Sequence, residues 1–498
     1  MKKNLLIAFK AKTVKFLLTG IVSLILSTSS MAQLTGTKTV CTSGCDYSTL
    51  ASAIAALNTS GVGSGGVNIE VGAGLTETLS AALNLTATGT ASNPINIYTP
   101  AGGGANYKIT AHTGSGTLDG IFTLSGSDYV TIDGIDLAEN SANTSTTTQM
   151  EWGFGLLKKN ASSTPDGCSY NTIRNCTITL NKANTSTAGL IAGSTGIYMA
   201  NHVISTTSQY AYSDTVANSS NYNKFLSNTI SNVVKGIVLY GYSSSNATYD
   251  VGNRIGDIGQ GNSITNFGTT TAMYGMYIYA QNRVFVDGNT ISGGNLATTT
   301  IYGIYTATGT NATIRIRSNI VTLTPIQATT TTAFTGTCYG IYNTLGTTGI
   351  NNVVEILDNE IKNWNFSNSS SGNVYMLYNT GSGYTVKMEG NKLTNNVFGS
   401  AVLSCTGTHY LIYYSASNTT AGSVSSVSNN EISGYSRVNV VGGAGGTTYT
   451  TYILAGGTTF NIANNKVQSN SYWSTTGTLY NFYISTSGAG TYNISKIK

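Results

Sequence analysis

One short phrase, written again and again, constrains this chain more than anything else in it. It runs apolar, any residue, small or polar, Asn, any residue, aliphatic. Clear copies are Val286-Asp287-Gly288-Asn289-Thr290-Ile291, Ile356-Leu357-Asp358-Asn359-Glu360-Ile361 and Met388-Glu389-Gly390-Asn391-Lys392-Leu393. Further copies span 225–230, 316–321, 427–432 and 462–467, with a weaker one at 259–264. The aligned residues are Asn228, Asn262, Asn289, Asn319, Asn359, Asn391, Asn430 and Asn465, at spacings of 34, 27, 30, 40, 32, 39 and 35. Two earlier copies put Cys176 and Ile135 in the Asn slot. A fixed phrase at irregular spacing is the signature of a solenoid, in which each copy is one turn and the variable part is a surface loop.

Within the phrase the apolar residues alternate and flank a tight bend. Two short strands meeting at a bend, repeated and stacked, describe one coil of a parallel β-helix. Asn suits the bend, because it tolerates turn geometry. Asn side chains in neighbouring coils, about 4.8 Å apart, can also hydrogen-bond into a ladder. A second phrase, small–aliphatic–Tyr, precedes most Asn phrases and supplies another strand. It appears as MYGMY (273–277), IYGIY (301–305) and CYGIY (338–342), with variants at 196–198, 236–238 and 374–376. A coil thus has about three strands. The chain reads as all-β, a right-handed parallel β-helix with a short N-terminal capping helix.

Composition agrees. The 498 residues include 58 Gly, 32 Tyr and only 4 Pro, and 9% are charged, while 40% are apolar, too many for a disordered chain. Residues 1–32 read as a secretory signal peptide: Lys2, Lys3, Lys10, Lys12 and Lys15, an apolar run from Phe16 to Leu26, then Ser30-Met31-Ala32 before Gln33. That run is too short to span a bilayer, and no second long apolar run follows, so the mature chain has no transmembrane segment. A secreted or cell-surface location follows. Five of the 24 basic residues and none of the 19 acidic ones precede residue 33, so the remainder carries 19 of each. No basic field remains to attract nucleic acid.

Residues 33–65 read as a lead-in plus capping helix, and 66–498 as about 10–13 coils. In DYSTLASAIAALN (46–58), Leu50, Ile54 and Leu57 share a helical face, with Ser48 or Asp46 as N-cap. The first strands follow at 66–71, 94–100 and 129–137. No C-terminal cap or sorting domain is visible, and the chain reads as a piece of something longer. Cys41 and Cys45 are placed to bridge in an oxidising compartment, and Cys168–Cys176 is a second candidate pair. Cys338 and Cys405, separated by one coil, should not bridge. His112, His202 and His409 are scattered, so no metal is expected.

The Cys-containing lead-in, the helix, GGVNIEVGAG, YVTIDGIDL and the recurring Asn phrases together resemble the right-handed parallel β-helix proteins of the pectate-lyase-like superfamily. The likeness covers roughly residues 38–498 and is greatest to exported members rich in Gly, Ser, Thr and Asn from Bacteroidota. That superfamily holds lyases, hydrolases, adhesins and inert scaffolds, so the resemblance implies fold and leaves function open. Its lyases use a Lys or Arg base with calcium-binding carboxylates, and its hydrolases use clustered Asp with Gly-His-Gly. The chain has no Gly-His-Gly. Asp133 and Asp136 form its nearest acidic phrase and read as surface decoration.

Two residue sets are candidates for function. Four and two positions before the ladder Asn, side chains face outward. Their columns read Arg315, Glu355, Lys387 and Arg317, Leu357, Glu389, with Asp287 one coil before Arg317 and Asp133 one coil before Arg174. A lyase would use Arg315 or Lys387 as base and Glu355 and Glu389 as calcium ligands; an exposed ion ladder explains the alternating signs better. The second set is a file of outward tyrosines, Tyr198, Tyr277, Tyr305, Tyr342 and Tyr375, interrupted by Val238, which either binds a sugar chain or supports itself by stacking. Strict alternation puts Tyr302 in the core with Ile304, unless Gly303 bends the strand.

The reading is an exported or cell-surface β-helix scaffold, non-catalytic, binding polysaccharide or surface glycans like an adhesin and needing no cofactor. The alternatives are a polysaccharide lyase or glycoside hydrolase, with calcium only for the lyase, and a purely structural stalk of a larger surface protein.

Overall fold

The computed structural model describes residues 32–160, 165–185, 193–211, 218–269, 273–294, 300–324, 333–347, 349–367, 369–400, 404–487 and 490–498. The expected signal peptide lies outside them, except for its last residue.

All named strand pairs are parallel, and they build three long sheets. The first has 14 strands, from Leu34–Val40 to Thr491–Ser495, and carries the residues before the ladder Asn. The second has 12, from Thr76–Thr78 to Lys466–Gln468, and carries the residues after it. The third has 13, from Leu83–Leu85 through Ile301–Ala307 to Tyr483–Ser487. The chain visits the sheets in turn and climbs one strand per circuit, which is a parallel β-helix, right-handed as parallel crossovers are. The core is a set of stacked aliphatic columns. On the first sheet Val286, Ile316, Ile356 and Met388 are in register and fully buried. Burying each such side chain contributes about 1.5–3 kcal/mol.

The ladder sits at the bend between the first two sheets. The Nδ2 of each Asn donates to the Oδ1 of the Asn one coil on, at 2.9–3.0 Å, all the way from Asn228 to Asn465. The same Nδ2 also donates to a backbone carbonyl, as Asn319 does to Val286 at 2.8 Å. Each Oδ1 further accepts a backbone N–H, so a fully buried amide is left with little unsatisfied. The left-handed residue of the bend is not the Asn but the one before it: Ser227, Gly288, Ser318, Asp358, Gly390, Asn429 and Asn464. The Asn is chosen for its side chain, and its neighbour for its backbone. A second, shorter ladder was not evident from the sequence: Asn223 donates to Asn253 at 3.2 Å and Asn253 to Gln281 at 2.8 Å.

The front end differs from expectation in three ways. A strand, Leu34–Val40, precedes the helix and pairs with Val62–Val71, so the first coil starts before residue 66. The helix runs Leu50–Ser60 with Leu50, Ala53, Ile54 and Leu57 buried, but Thr49 caps it, in a reciprocal box with Ser52. Asp46 is engaged elsewhere, accepting from the backbone N and hydroxyl of Thr39. Buried Glu77 also reaches the helix start, accepting from Leu50 N at 2.9 Å, Ala51 N at 3.3 Å and the Tyr107 hydroxyl at 2.8 Å. A carboxylate at that position meets both the unpaired N–H groups and the positive end of the helix dipole.

Cys41 and Cys45 are disulfide-bonded, with Cα atoms 5.6 Å apart. Cys168 and Cys176 do not pair. Both are buried thiols that donate to carbonyls, Cys168 to Leu157 and Cys176 to Arg174. Cys338 and Cys405 are also free and buried.

A two-lane tyrosine face as the candidate binding site

The third sheet turns Tyr-x-x-Tyr into a surface. In the strand Ile301–Ala307, Tyr302 and Tyr305 are both half-buried, while Ile301, Gly303 and Ile304 are fully inside. The expectation that Tyr302 would join Ile304 in the core is therefore corrected. The paired register runs Tyr302–Tyr339 and Ile304–Ile341 and skips Gly303. Two consecutive inward residues, Gly303 and Ile304, break the alternation without inserting a residue relative to the neighbouring strand, so that residues three apart share a face. Glycine fits that slot because a Cβ on Gly303 would lie 2.5 Å from the Gly340 carbonyl oxygen and 2.6 Å from Val321 Cγ1.

Seven coils repeat the arrangement and give two lanes. Lane one is Tyr274, Tyr302, Tyr339, Tyr375, Tyr410, Tyr449 and Tyr480, stacked at 4.9–5.0 Å with ring planes within 6–8°. Lane two is Tyr277, Tyr305, Tyr342, Tyr378, Tyr413, Tyr452 and Tyr483. Of the five tyrosines named from the sequence, Tyr277, Tyr305 and Tyr342 lie together in lane two. Tyr375 belongs to lane one, opposite Tyr339. Tyr198 is in the column of lane two but is not outward: it is fully buried, its ring against Trp152 and its hydroxyl 2.8 Å from His202 Nε2. The segment after its strand covers it, through the His202 hydrogen bond and the packing of Ile204 against the Trp152–Tyr198–Val238 cluster.

HYLIY (409–413), TYTTY (448–452) and LYNFY (479–483) lack the small–aliphatic–Tyr phrase yet carry the same two tyrosines. The three-residue spacing of the tyrosines is the signal that would have found them.

Burial between neighbouring rings, and then the neighbours themselves, push Tyr305 and Tyr410 up to about 12, and Tyr302, Tyr339 and Tyr378 are pushed up as well. These five rings therefore stay uncharged at any ordinary pH.

The charged column lies on the first sheet, away from the tyrosines. Arg315, Glu355 and Lys387 are in register, as are Leu357 and Glu389. Lys387 pairs with Glu355 at 3.0 Å. Arg315 turns the other way, to fully buried Asp287, which Arg317 also approaches at 3.5 Å. The Arg315 guanidinium lies 4.6 Å from the Phe285 ring centre. Asp133 is held by Arg174 and Asn175, and Asp136 accepts from Asn106 and Thr177. Glu355, Asp287, Asp133 and Asp136 are thus each engaged by cations or donors, whereas the Glu389 side chain makes no such contact among the described residues.

These features define a parallel β-helix protein with an aromatic-paved sheet. No family model matches the chain, and neither does any curated protein. Similar solved structures include an alginate lyase from Paenibacillus sp., at 13% identity over 88% of this chain and 99% of that one, TM-score 0.31. The Dettilon tailspike protein matches at 13% over 84% and 66%, TM-score 0.34. A surface adhesin of Streptococcus pneumoniae matches at 11% over 88% and 88%, TM-score 0.33.

Proposed function

We propose that this protein is an exported or cell-surface β-helix scaffold that binds glycans through its tyrosine face and performs no chemistry on them. The observation that carries the reading is the pair of seven-tyrosine lanes: a rigid, half-exposed aromatic surface built into the most regular part of the fold. Stacking also steadies the face, but strand stability alone does not require two outward tyrosines in each of seven coils. The pairing of Glu355, Asp287 and Asp133 with cations weighs against a calcium-assisted lyase, whose carboxylates must be free to converge on a metal. The Cys41–Cys45 disulfide suits an oxidising, extracellular setting. Substituting Tyr302, Tyr339 and Tyr375 together by Ala should abolish binding on a glycan array; binding equal to wild type would remove the tyrosine face from the function.

A further inference from the structure

We infer that the occupant of the tyrosine face is an uncharged polysaccharide, laid along the solenoid axis across several coils. This rests on the glycan-binding reading and narrows it to one chemical class.

The first observation is a segregation of charge. Between residues 284 and 466 the Asp, Glu, Lys and Arg residues fall in or beside the strands of the first two sheets, apart from Arg437, which is fully buried. The segments that carry the lanes and their flanking loops, 318–354, 363–386 and 393–430, contain none of the four. A polyuronate is recognised by the forked donors of Arg or by Lys, and the cation in register with lane one, Lys235 beside Tyr274, is buried rather than offered to a ligand. A neutral polymer needs no counter-charge.

The second is what the rings offer. Stacked about 4.9 Å apart, they cover one another's faces, so a ligand meets ring edges and phenol oxygens. Among the described residues, no hydroxyl of lane one is hydrogen-bonded within the protein. A phenol O–H both donates and accepts, as a sugar hydroxyl does, so the two lattices match in kind. The third is length. Six intervals of about 4.9 Å make lane one about 29 Å long. That suits an extended chain, with contacts that accumulate along it.

The test is affinity electrophoresis of the full chain in gels containing mixed-linkage β-glucan, galactomannan or amylopectin, with alginate and polygalacturonate in parallel. At least one neutral polymer should retard the protein, independently of salt. Its oligomers should compete more strongly as they lengthen, levelling off near the length of the lane. Tyr302→Phe/Tyr339→Phe/Tyr375→Phe, which keeps the stack but deletes three hydroxyls, should weaken retardation at least tenfold while leaving the melting temperature near wild type. Retardation undiminished in that variant overturns hydroxyl recognition. Retardation by the polyuronates alone, lost in salt, overturns the neutral-ligand inference and leaves glycan binding standing. No retardation by any polymer overturns both. Self-association in sedimentation that the same substitutions abolish would make a second copy the occupant and overturn the inference.

Discussion

The two halves of the tyrosine face share a register but differ in ring geometry. In residues 273–343 the two tyrosines of each coil lie nearly parallel: Tyr302 and Tyr305 are 4.8 Å apart at 17°, and Tyr339 and Tyr342 are 4.6 Å apart at 15°. In residues 374–483 they stand perpendicular: Tyr375 and Tyr378 at 89°, Tyr410 and Tyr413 at 90°, Tyr449 and Tyr452 at 79°. The change falls between Tyr342 and Tyr378, the one step in lane two where the planes cross, at 84°. It coincides with a change inside the solenoid. The first of the two inward positions holds Gly275, Gly303 and Gly340 in the first half, and buried Met376, Leu411 and Thr450 in the second. With glycine the backbone lies against the carbonyl of the next coil, as Gly303 does against Gly340; in the second half a buried side chain occupies that position. One inward residue is thus linked to the orientation of an outward ring.

Breaking the second half at that slot should have the largest effect. Met376→Gly removes a fully buried side chain and should cost about 4 kcal/mol, read from denaturant unfolding. If the slot sets the rings, the variant should also shift near-ultraviolet circular dichroism toward the parallel pattern; an unchanged spectrum would separate slot from ring. The ladder is the control common to both halves. Asn319→Ala leaves both Asn289 donors without their acceptor and should cost about 3 kcal/mol, and Asn430→Ala, with the same contacts, should cost the same. Unequal costs would mean that the halves differ in more than the tyrosine sheet.

Gly303→Ala tests the first half. Its methyl would meet a backbone oxygen that belongs to the next strand, and about 2 kcal/mol of stability should be lost. The halves should also part at low pH. His409 lies in the second half, fully buried, bonded to the Tyr435 hydroxyl at 2.8 Å, and burial and the nearby Arg437 hold its pKa well below the ordinary value. A depressed histidine gives stability that is present above its unfolded pKa, about 6.5, and is lost as pH falls below it. Hydrogen exchange near 409–414 should therefore speed up in acid before exchange near 301–307, where the first half has no histidine.

Alkali should affect both halves alike. Tyr305 and Tyr410 are each raised to about 12, so the folded protein keeps protons that the unfolded chain has lost. Stability should hold below about pH 10 and fall as pH climbs toward about 12, with phenolate absorbance rising late. The smallest effect belongs to the charged column: Lys387→Ala should cost under about 1 kcal/mol, since Lys387 and Glu355 form a partly exposed pair.

The sequence by itself determined the solenoid. An apolar residue three before and two after nearly every ladder Asn can be buried in only one way when coils stack, and a side-chain period of two fixes which residues point inward. The eight Asn, their spacings, the charged column and the Cys41–Cys45 pairing were legible because each depends on local pattern or short range. Three things were not. Thr49 and Glu77 share the helix N-terminus, a meeting of residues 28 apart that no local phrase announces. Tyr198 sits in the right column but under a loop whose path the repeat does not encode. Tyr302 faces outward because the two residues after it, Gly303 and Ile304, both turn inward, a pattern that Met376–Leu377 and Leu411–Ile412 repeat without glycine once the coils are stacked. Strand alternation is a property of one chain segment, whereas a break in it is decided by the stack of coils. The width of the tyrosine face, two lanes rather than one, was therefore settled by tertiary structure alone.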